Sequence, residues 1–122
     1  MTKKEIAENF LKLAASGHSH EGFKLYVAEN FKHHNAYFKG DAETLMLAME
    51  ESTRKNPNKI FTIHHILEDQ NTVAVHSHLK QNSEDIGFAV VHILKFENDK
   101  IIELWDLGQP VPKDSINENG MF

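Results

Sequence analysis

The chain has 122 residues, of which 40% are hydrophobic and 25% charged, a composition typical of one ordinary folded domain and not of a disordered protein. It has no cysteine, which excludes disulfides, thiolate nucleophiles and cysteine-ligated metals, and the formal net charge of −5 argues against nucleic acid as a partner. No apolar run approaches the ~20 residues of a membrane span, and the first residues lack the apolar stretch of a signal peptide. We therefore expect a cytoplasmic protein that binds neither membrane nor nucleic acid.

Three helices are predicted in the first half of the chain. Thr2–Glu5 has the pattern of a capping box that starts the first helix, and Gly17 marks its end. The second helix is expected over about 19–30. Asp41 is a suitable N-cap for the third, which should end at 56–57 because an asparagine before a proline disfavours helix.

The apolar residues change from helical spacing to alternation after residue 58. Four strands joined by short polar turns are predicted there, and such connections make antiparallel neighbours. A short extended piece at 31–36 precedes the third helix, and the tail from Pro110 is expected to be loosely held. Helices followed by an antiparallel meander predict a single α+β domain over 1–122, with the helices packed on one face of a curved sheet. The predicted strands cover 59–67, 72–80, 86–96 and 100–107.

One carboxylate lies near the end of the last predicted strand, between Trp105 and Leu107. Burying an unpaired carboxylate is costly, so Asp106 is either held by a hydrogen-bonding partner or lies in a pocket and does chemistry. Strand alternation places Leu104 on the same face as Asp106. Trp105, on the other face, is more simply a packing or interface residue than a platform for substrate.

The neighbouring strands also carry ionisable groups among apolar residues. Val90 shares a face with His92, and Ala74 shares one with His76. If these faces form one concave side with that of Asp106, the result is an apolar cavity with a few polar groups, the usual form of a small-molecule site. The alternative is that His76 and His78 lie on a solvated face.

The chain has nine histidines. His64 and His65 are adjacent in a strand, so we expect them to point to opposite faces. A metal site is a third possibility, because neutral imidazoles bind zinc, copper and nickel, although no HExxH-like spacing is present. Its ligands would be His76 and His78 with His34 or His92 and Asp106.

Several segments resemble the SnoaL-like group of the nuclear transport factor 2-like superfamily, predicted aldol-condensation-catalysing proteins related to polyketide cyclases. These segments are 31–36 with Gly40, 73–78, 91–96 and 103–112. The resemblance covers nearly the whole domain and is most specific in the last segment. It implies the cone-shaped fold of that superfamily, with three N-terminal helices on a curved antiparallel sheet, and chemistry that needs no metal or other cofactor.

The resemblance also implies site residues. Asp106 matches an aspartate that acts as acid and base, His34 and Asn35 match a His-Asn pair after the second helix, and His76 matches a histidine of the meander. The chain departs from the pattern at His92, where an acid is usual, and at Leu104, where a histidine is usual. We expect Asp106, His92 and His34 to be catalytic, and the substrate to contact His76, Asn35, Leu104, Val90 and Trp105.

The function implied is cofactor-free proton transfer next to a carbonyl, in an aldol-type cyclase or an isomerase-like enzyme. Asp106 would take the proton, with its pKa raised by apolar surroundings, and a protonated histidine would polarise the carbonyl. The alternative is a non-catalytic domain that binds a small ligand or a partner. The expected partners are a small apolar carbonyl compound and a second copy, paired through the open face of the sheet at Val91, Ile101 and Trp105.

Overall fold

The computed structural model describes all 122 residues as three helices and five strands. Helices α1 and α2 come first, strand β1 follows, and helix α3 precedes a run of four strands, β2 to β5. The α+β class and the cone-like arrangement of helices against one curved sheet are therefore confirmed. None of the helices combines the length and apolar character needed to cross a bilayer. The elements are α1 Lys3–Ala15, α2 Ser19–Tyr26, β1 Val27–His33, α3 Ala42–Lys55, β2 Ile60–Asp69, β3 Thr72–Lys80, β4 Phe88–Glu97 and β5 Lys100–Pro110.

The predicted helix starts are present. The Thr2 hydroxyl accepts from the backbone N–H of Glu5, and the Glu5 carboxylate accepts from that of Thr2, so the capping box is formed. The Asp41 carboxylate accepts from the N–H of Thr44 and caps α3. Helix α2 ends at Tyr26, earlier than predicted, because the chain continues directly as β1.

The sheet has the order β1-β5-β4-β3-β2. The four later strands form the predicted antiparallel meander, whereas β1 pairs with β5 in parallel. This parallel pairing sets His33 beside Leu104, and the backbone N–H of His34 donates to the Leu104 carbonyl at 2.8 Å. The segment that follows β1 is thereby fixed against the last strand, close to Asp106.

Two bulges change which side chains face the helices. In β2 the register shifts between Ile63 and His65, and Ile63 and Ile66 both pack on the core. His64 and His65 then both lie near the His76 ring on the outer face, so the prediction that they point to opposite faces was wrong.

The second bulge lies in β5, where Lys95 pairs with Glu103 and Phe96 with Ile101. The extra residue, Ile102, lets Ile101 and Leu104 both turn inward, and both are completely buried. The prediction that Ile101 points outward was therefore wrong.

The core lies between the helices and the concave face of the sheet. An aromatic series runs through it, with ring centroids 5.3 Å apart for Phe10 and Phe23 and 5.8 Å apart for Phe23 and Phe31, both edge to face. It ties α1 and α2 to β1. The core does not fill the whole interior, and the space left beside it is the candidate site.

Candidate functional site

A cavity of about 230 Å³ lies between the helices and the concave face of the sheet. Ten of its fifteen lining residues are hydrophobic. Nine come from α1 and α3 on one side and β2 to β4 on the other, and Phe38 comes from the segment between β1 and α3. An engineered cavity of about 150 Å³ in another protein holds benzene, so this one admits a substituted single ring. Its polar groups are few, as in small-molecule sites generally. They belong to Asn35, Ser52, Lys59, His92 and Asp106.

Asp106 and His92 occupy paired positions of β5 and β4 and point to the same side. Nε2 of His92 lies 3.2 Å from Oδ1 of Asp106. Both are largely shielded, with 11% of the His92 side chain and 20% of the Asp106 side chain exposed. The carboxylate therefore has a partner, and it also faces the cavity.

Asn35 holds the other carboxylate oxygen. Its side-chain Nδ2 donates to Oδ2 of Asp106 at 2.8 Å, and its Oδ1 accepts from the N–H of Tyr37 at 3.0 Å. The second bond fixes the orientation of the amide, because only the nitrogen end can then face the carboxylate.

His33, which the sequence did not single out, supports Asn35 from behind. Its Nδ1 accepts from the backbone N–H of Asn35 at 3.1 Å, and its Nε2 lies 2.6 Å from the Lys39 carbonyl. These partners require the proton on Nε2. His33 thus anchors the turn that carries Asn35 to the cavity.

The pKa of Asp106 lies below its ordinary value of about 3.8. Burial alone would raise it, but the hydrogen bonds from His92 and Asn35 outweigh burial. The prediction of a raised pKa was wrong. It took account of the apolar surroundings of Asp106 but not of the two hydrogen-bond donors that offset them. Asp106 is therefore ionised at neutral pH and accepts from two donors.

Nδ1 of His92 is buried and has no hydrogen-bond partner. A proton there would be buried unpaired, so the ring is best satisfied with its proton on Nε2, facing Asp106. Since Nδ1 is out of reach of a ligand, His92 acts on the cavity only through Nε2. This favours Asp106, not His92, as the group that would accept a proton from a ligand.

The structure places the expected site residues in three groups. Asp106, His92, Asn35 and Val90 line the cavity together. Leu104 lies on the concave side but is completely buried in the core, so it supports the site without facing it. The other three expected residues, His34, His76 and Trp105, lie outside the cavity.

His34 and Trp105 meet on the outer face of the sheet. Their rings stack with centroids 4.9 Å apart, and His34 Nε2 lies 2.6 Å from Oε2 of Glu103. Glu103 and Trp105 flank the inward positions Leu104 and Asp106, so alternation turns them outward. The expected cavity positions of His34 and Trp105 are thus corrected.

His76 also points outward, because its neighbours Val75 and Ser77 take the inward positions of β3. Its Nδ1 lies 3.0 Å from that of His65. The tail returns to this face, where the Phe122 ring stacks on His78 at 4.3 Å. The residues considered as metal ligands are therefore divided between two faces, and no group of three or more His, Asp or Glu residues converges on a metal position.

Lys59, just before β2, lines the cavity and, like Ser52, was not predicted from the sequence. Its Nζ donates to the Ser52 hydroxyl on α3. Burial lowers the pKa of the Lys59 ammonium. Alternation could have found it, since Lys59 shares a face with Phe61 and Ile63, which point inward.

A family model described as SnoaL-like polyketide cyclase matches residues 5–112. The chain belongs to the SnoaL-like family. No curated protein matches the sequence. The solved structures that resemble this SnoaL-like domain share too little sequence to indicate more than the fold.

Three of these structures illustrate the likeness. An NTF2-like protein of unknown function from Cytophaga hutchinsonii has a TM-score of 0.71 and 18% identity, covering 90% of this chain and 92% of its own. A predicted isomerase of the SnoaL-like family from Agrobacterium tumefaciens has a TM-score of 0.73 and 14% identity, covering 89% and 99%. A predicted SnoaL-like polyketide cyclase from Jannaschia sp. has a TM-score of 0.71 and 11% identity, covering 88% and 85%.

Proposed function

We propose that this SnoaL-like domain is an enzyme that transfers a proton next to the carbonyl of a small apolar compound, as an aldol-type cyclase or an isomerase does. The observation that carries the proposal is an ionised carboxylate, Asp106, facing an apolar cavity and oriented by two donors. Membership of a cyclase family agrees with this chemistry.

In the proposed reaction the Asp106 carboxylate takes a proton from the carbon beside the carbonyl, and an enolate forms. Once Asp106 is protonated, its hold on Nε2–H of His92 weakens. That N–H can then turn to the enolate oxygen, where negative charge develops. Return of the proton to another carbon gives isomerisation, and attack of the enolate carbon on a second carbonyl gives an aldol product. The residues present suffice for these steps as general acid and base.

The lowered pKa of Asp106 makes it less effective as a general base. A carboxylate that accepts from two donors is a weaker base than the raised-pKa group expected from the sequence. The same observation favours a second candidate, a domain that binds a small ligand through the same cavity without turnover. Binding with no exchange of ligand protons would identify that second function.

Exchange of ligand protons for deuterium distinguishes the two candidates. Propiophenone, a single-ring ketone with exchangeable protons beside its carbonyl, is incubated with the protein in deuterium oxide and followed by NMR. An enzyme of the proposed kind accelerates the exchange, and the Asp106→Asn variant, which keeps the shape of the side chain, does not. Equal exchange by the two proteins would contradict the role of Asp106.

We also propose that two copies pair through the outer face of the sheet. Half-buried Val91, Ile93 and Trp105 lie there, and Leu107 is 56% exposed beside them. A contiguous apolar patch of this kind is typical of an interface.

A further inference from the structure

The cavity holds a lysine whose charge has no acidic partner in the chain. No carboxylate oxygen lies within ion-pair distance of Nζ of Lys59, and its one polar contact is the neutral hydroxyl of Ser52. The exposed arginine and lysine of α3 differ, since Arg54 and Lys55 both pair with Glu51. A partly buried ammonium without a counter-charge is costly, so its presence in a ligand cavity requires an explanation.

Asp106 does not supply the missing charge. It lines the same cavity, but its oxygens already face His92 and Asn35, and no ion pair joins it to Lys59. The strand register explains the separation. On β4, His92 pairs with Asp106, and Phe88 lies four residues before His92. Phe88 pairs with Leu79 of β3, which in turn pairs with Phe61 of β2. Lys59 lies two residues before Phe61 and is therefore farther still from Asp106.

The cavity is therefore polarised along its length. By strand register, the Asp106 carboxylate with its two donors lies toward one end, and the Lys59 ammonium beside Ser52 lies toward the other. The walls between them are apolar, including Phe61, Leu79 and Val90. A ligand that carried an anionic group near Asp106 would be repelled there, whereas the same group at the Lys59 end would meet an unpaired cation.

We propose that the ligand of this cavity is an amphipathic oxo acid whose carboxylate pairs with Lys59 while its carbonyl end lies at Asp106. The proposal rests on the function proposed above for its account of the carbonyl end. It adds the chemical class of the substrate and assigns Lys59 as the residue that determines specificity for it. Burial favours such a contact, because a charge-assisted hydrogen bond is stronger in a shielded site than in water.

A matched pair of probes tests the assignment. Benzoylbutanoate carries a phenyl ketone and a carboxylate at opposite ends of a short chain, and benzoylbutanamide replaces the carboxylate with a neutral group of the same shape. Both are titrated calorimetrically into the wild type, the Lys59→Met variant and the Lys113→Met variant. Lys113 is exposed in the tail, so its replacement changes net charge equally and leaves the cavity intact.

The wild type and Lys113→Met should bind the acid about tenfold more tightly than the amide, a difference of about 1.4 kcal/mol. Lys59→Met should bind the two about equally, and its binding of the amide shows that the cavity is still folded. Equal binding of acid and amide by the wild type would overturn the proposal. So would a preference for the acid that persists in Lys59→Met, or failure of the acid to bind the wild type.

The function proposed for Asp106 is tested separately with the same amide. Its protons beside the ketone should exchange with deuterium faster in the wild type than in Asp106→Asn. If the wild type and Asp106→Asn exchange the amide's protons equally while the wild type still prefers the acid, the enzyme function is overturned and the oxo-acid ligand is retained. If the wild type exchanges protons faster but binds acid and amide equally, the oxo-acid ligand is overturned and the enzyme function is retained.

Discussion

Nε2 of His92 lies 3.2 Å from Oδ1 of Asp106, on paired positions of adjacent strands. The register of the sheet brings the two side chains together. Together with Asn35 it lowers the pKa of a carboxylate that burial alone would raise. This balance between burial and two donors determines how basic Asp106 is and how its charge responds to acid.

Removal of the Asn35 donor should shift that balance. Asn35→Ala takes away the 2.8 Å bond to Oδ2, so the pKa of Asp106 rises from its depressed value and the acid limb of the pH–rate profile moves to higher pH. Loss of a hydrogen bond to a charged group should also cost about 1.5–3 kcal/mol of stability. Proton-exchange rates measured against pH and urea unfolding check both effects. Asn30→Ala, at an exposed position of β1, is the control and should change neither. An acid limb that stays in place would show that Asn35 does not act on Asp106.

Acid unfolding should depend on Asp106 in a defined direction. Its pKa is lower in the folded chain than in the unfolded chain, so on acidification the unfolded chain takes the proton first. The stabilisation is complete above the ordinary pKa of about 3.8 and is lost as the pH falls through the folded value. The stability difference between wild type and Asp106→Asn should therefore narrow below about pH 4. Urea unfolding at a series of pH values measures it, and a difference that widens on acidification would contradict the lowered pKa.

A filled cavity should not bind ligand. Ala48 lines the cavity from α3, whereas its neighbour Leu47 is 50% exposed. Ala48→Phe places a ring in the space, so ligand-dependent thermal shifts and proton exchange should both disappear. Leu47→Phe puts the same ring in solvent and should leave both unchanged. Unimpaired binding by a folded Ala48→Phe variant would show that the ligand site lies elsewhere.

The proposed dimer can be broken on the outer face of the sheet. Val91 lies there between His76 and Leu107, so Val91→Glu would bury a carboxylate in the interface and should give a monomer. Leu47→Glu, on the exposed surface of α3, is the matched control and should leave the dimer intact. Light scattering after gel filtration measures the mass. A wild type that is monomeric at high concentration would exclude this assembly.

Local signals in the sequence were sufficient for most of the fold. The caps at Thr2 and Asp41 and the short turns of the meander act over a few residues, and the structure has them where they were predicted. The parallel pairing of β1 with β5 joins segments about 70 residues apart, as His33 and Leu104 show, and no local pattern reports it.

The candidate site was predicted less completely, for two physical reasons. A bulge inserts one residue and reverses alternation beyond it, which is why Ile101 and one of His64 and His65 were assigned to the wrong face. Which face of a strand is concave depends on where the helices pack, and strand alternation alone does not show this. In β3 the side chains of Val75 and Ser77 point inward, so that of His76 points outward. Asp106, His92 and Asn35 were found because each carries its polar group among apolar neighbours or in a recognisable segment. Lys59 was missed because a lysine at the start of a strand is usually exposed.

The most direct test of the central claim is deuterium exchange beside the carbonyl of bound propiophenone, compared between the wild type and Asp106→Asn. A general base typically contributes about 10²–10⁴-fold, so the variant should lose at least about a hundredfold while still binding the ketone. Exchange at the same rate in both proteins would show that Asp106 is held by His92 and Asn35 for structure alone.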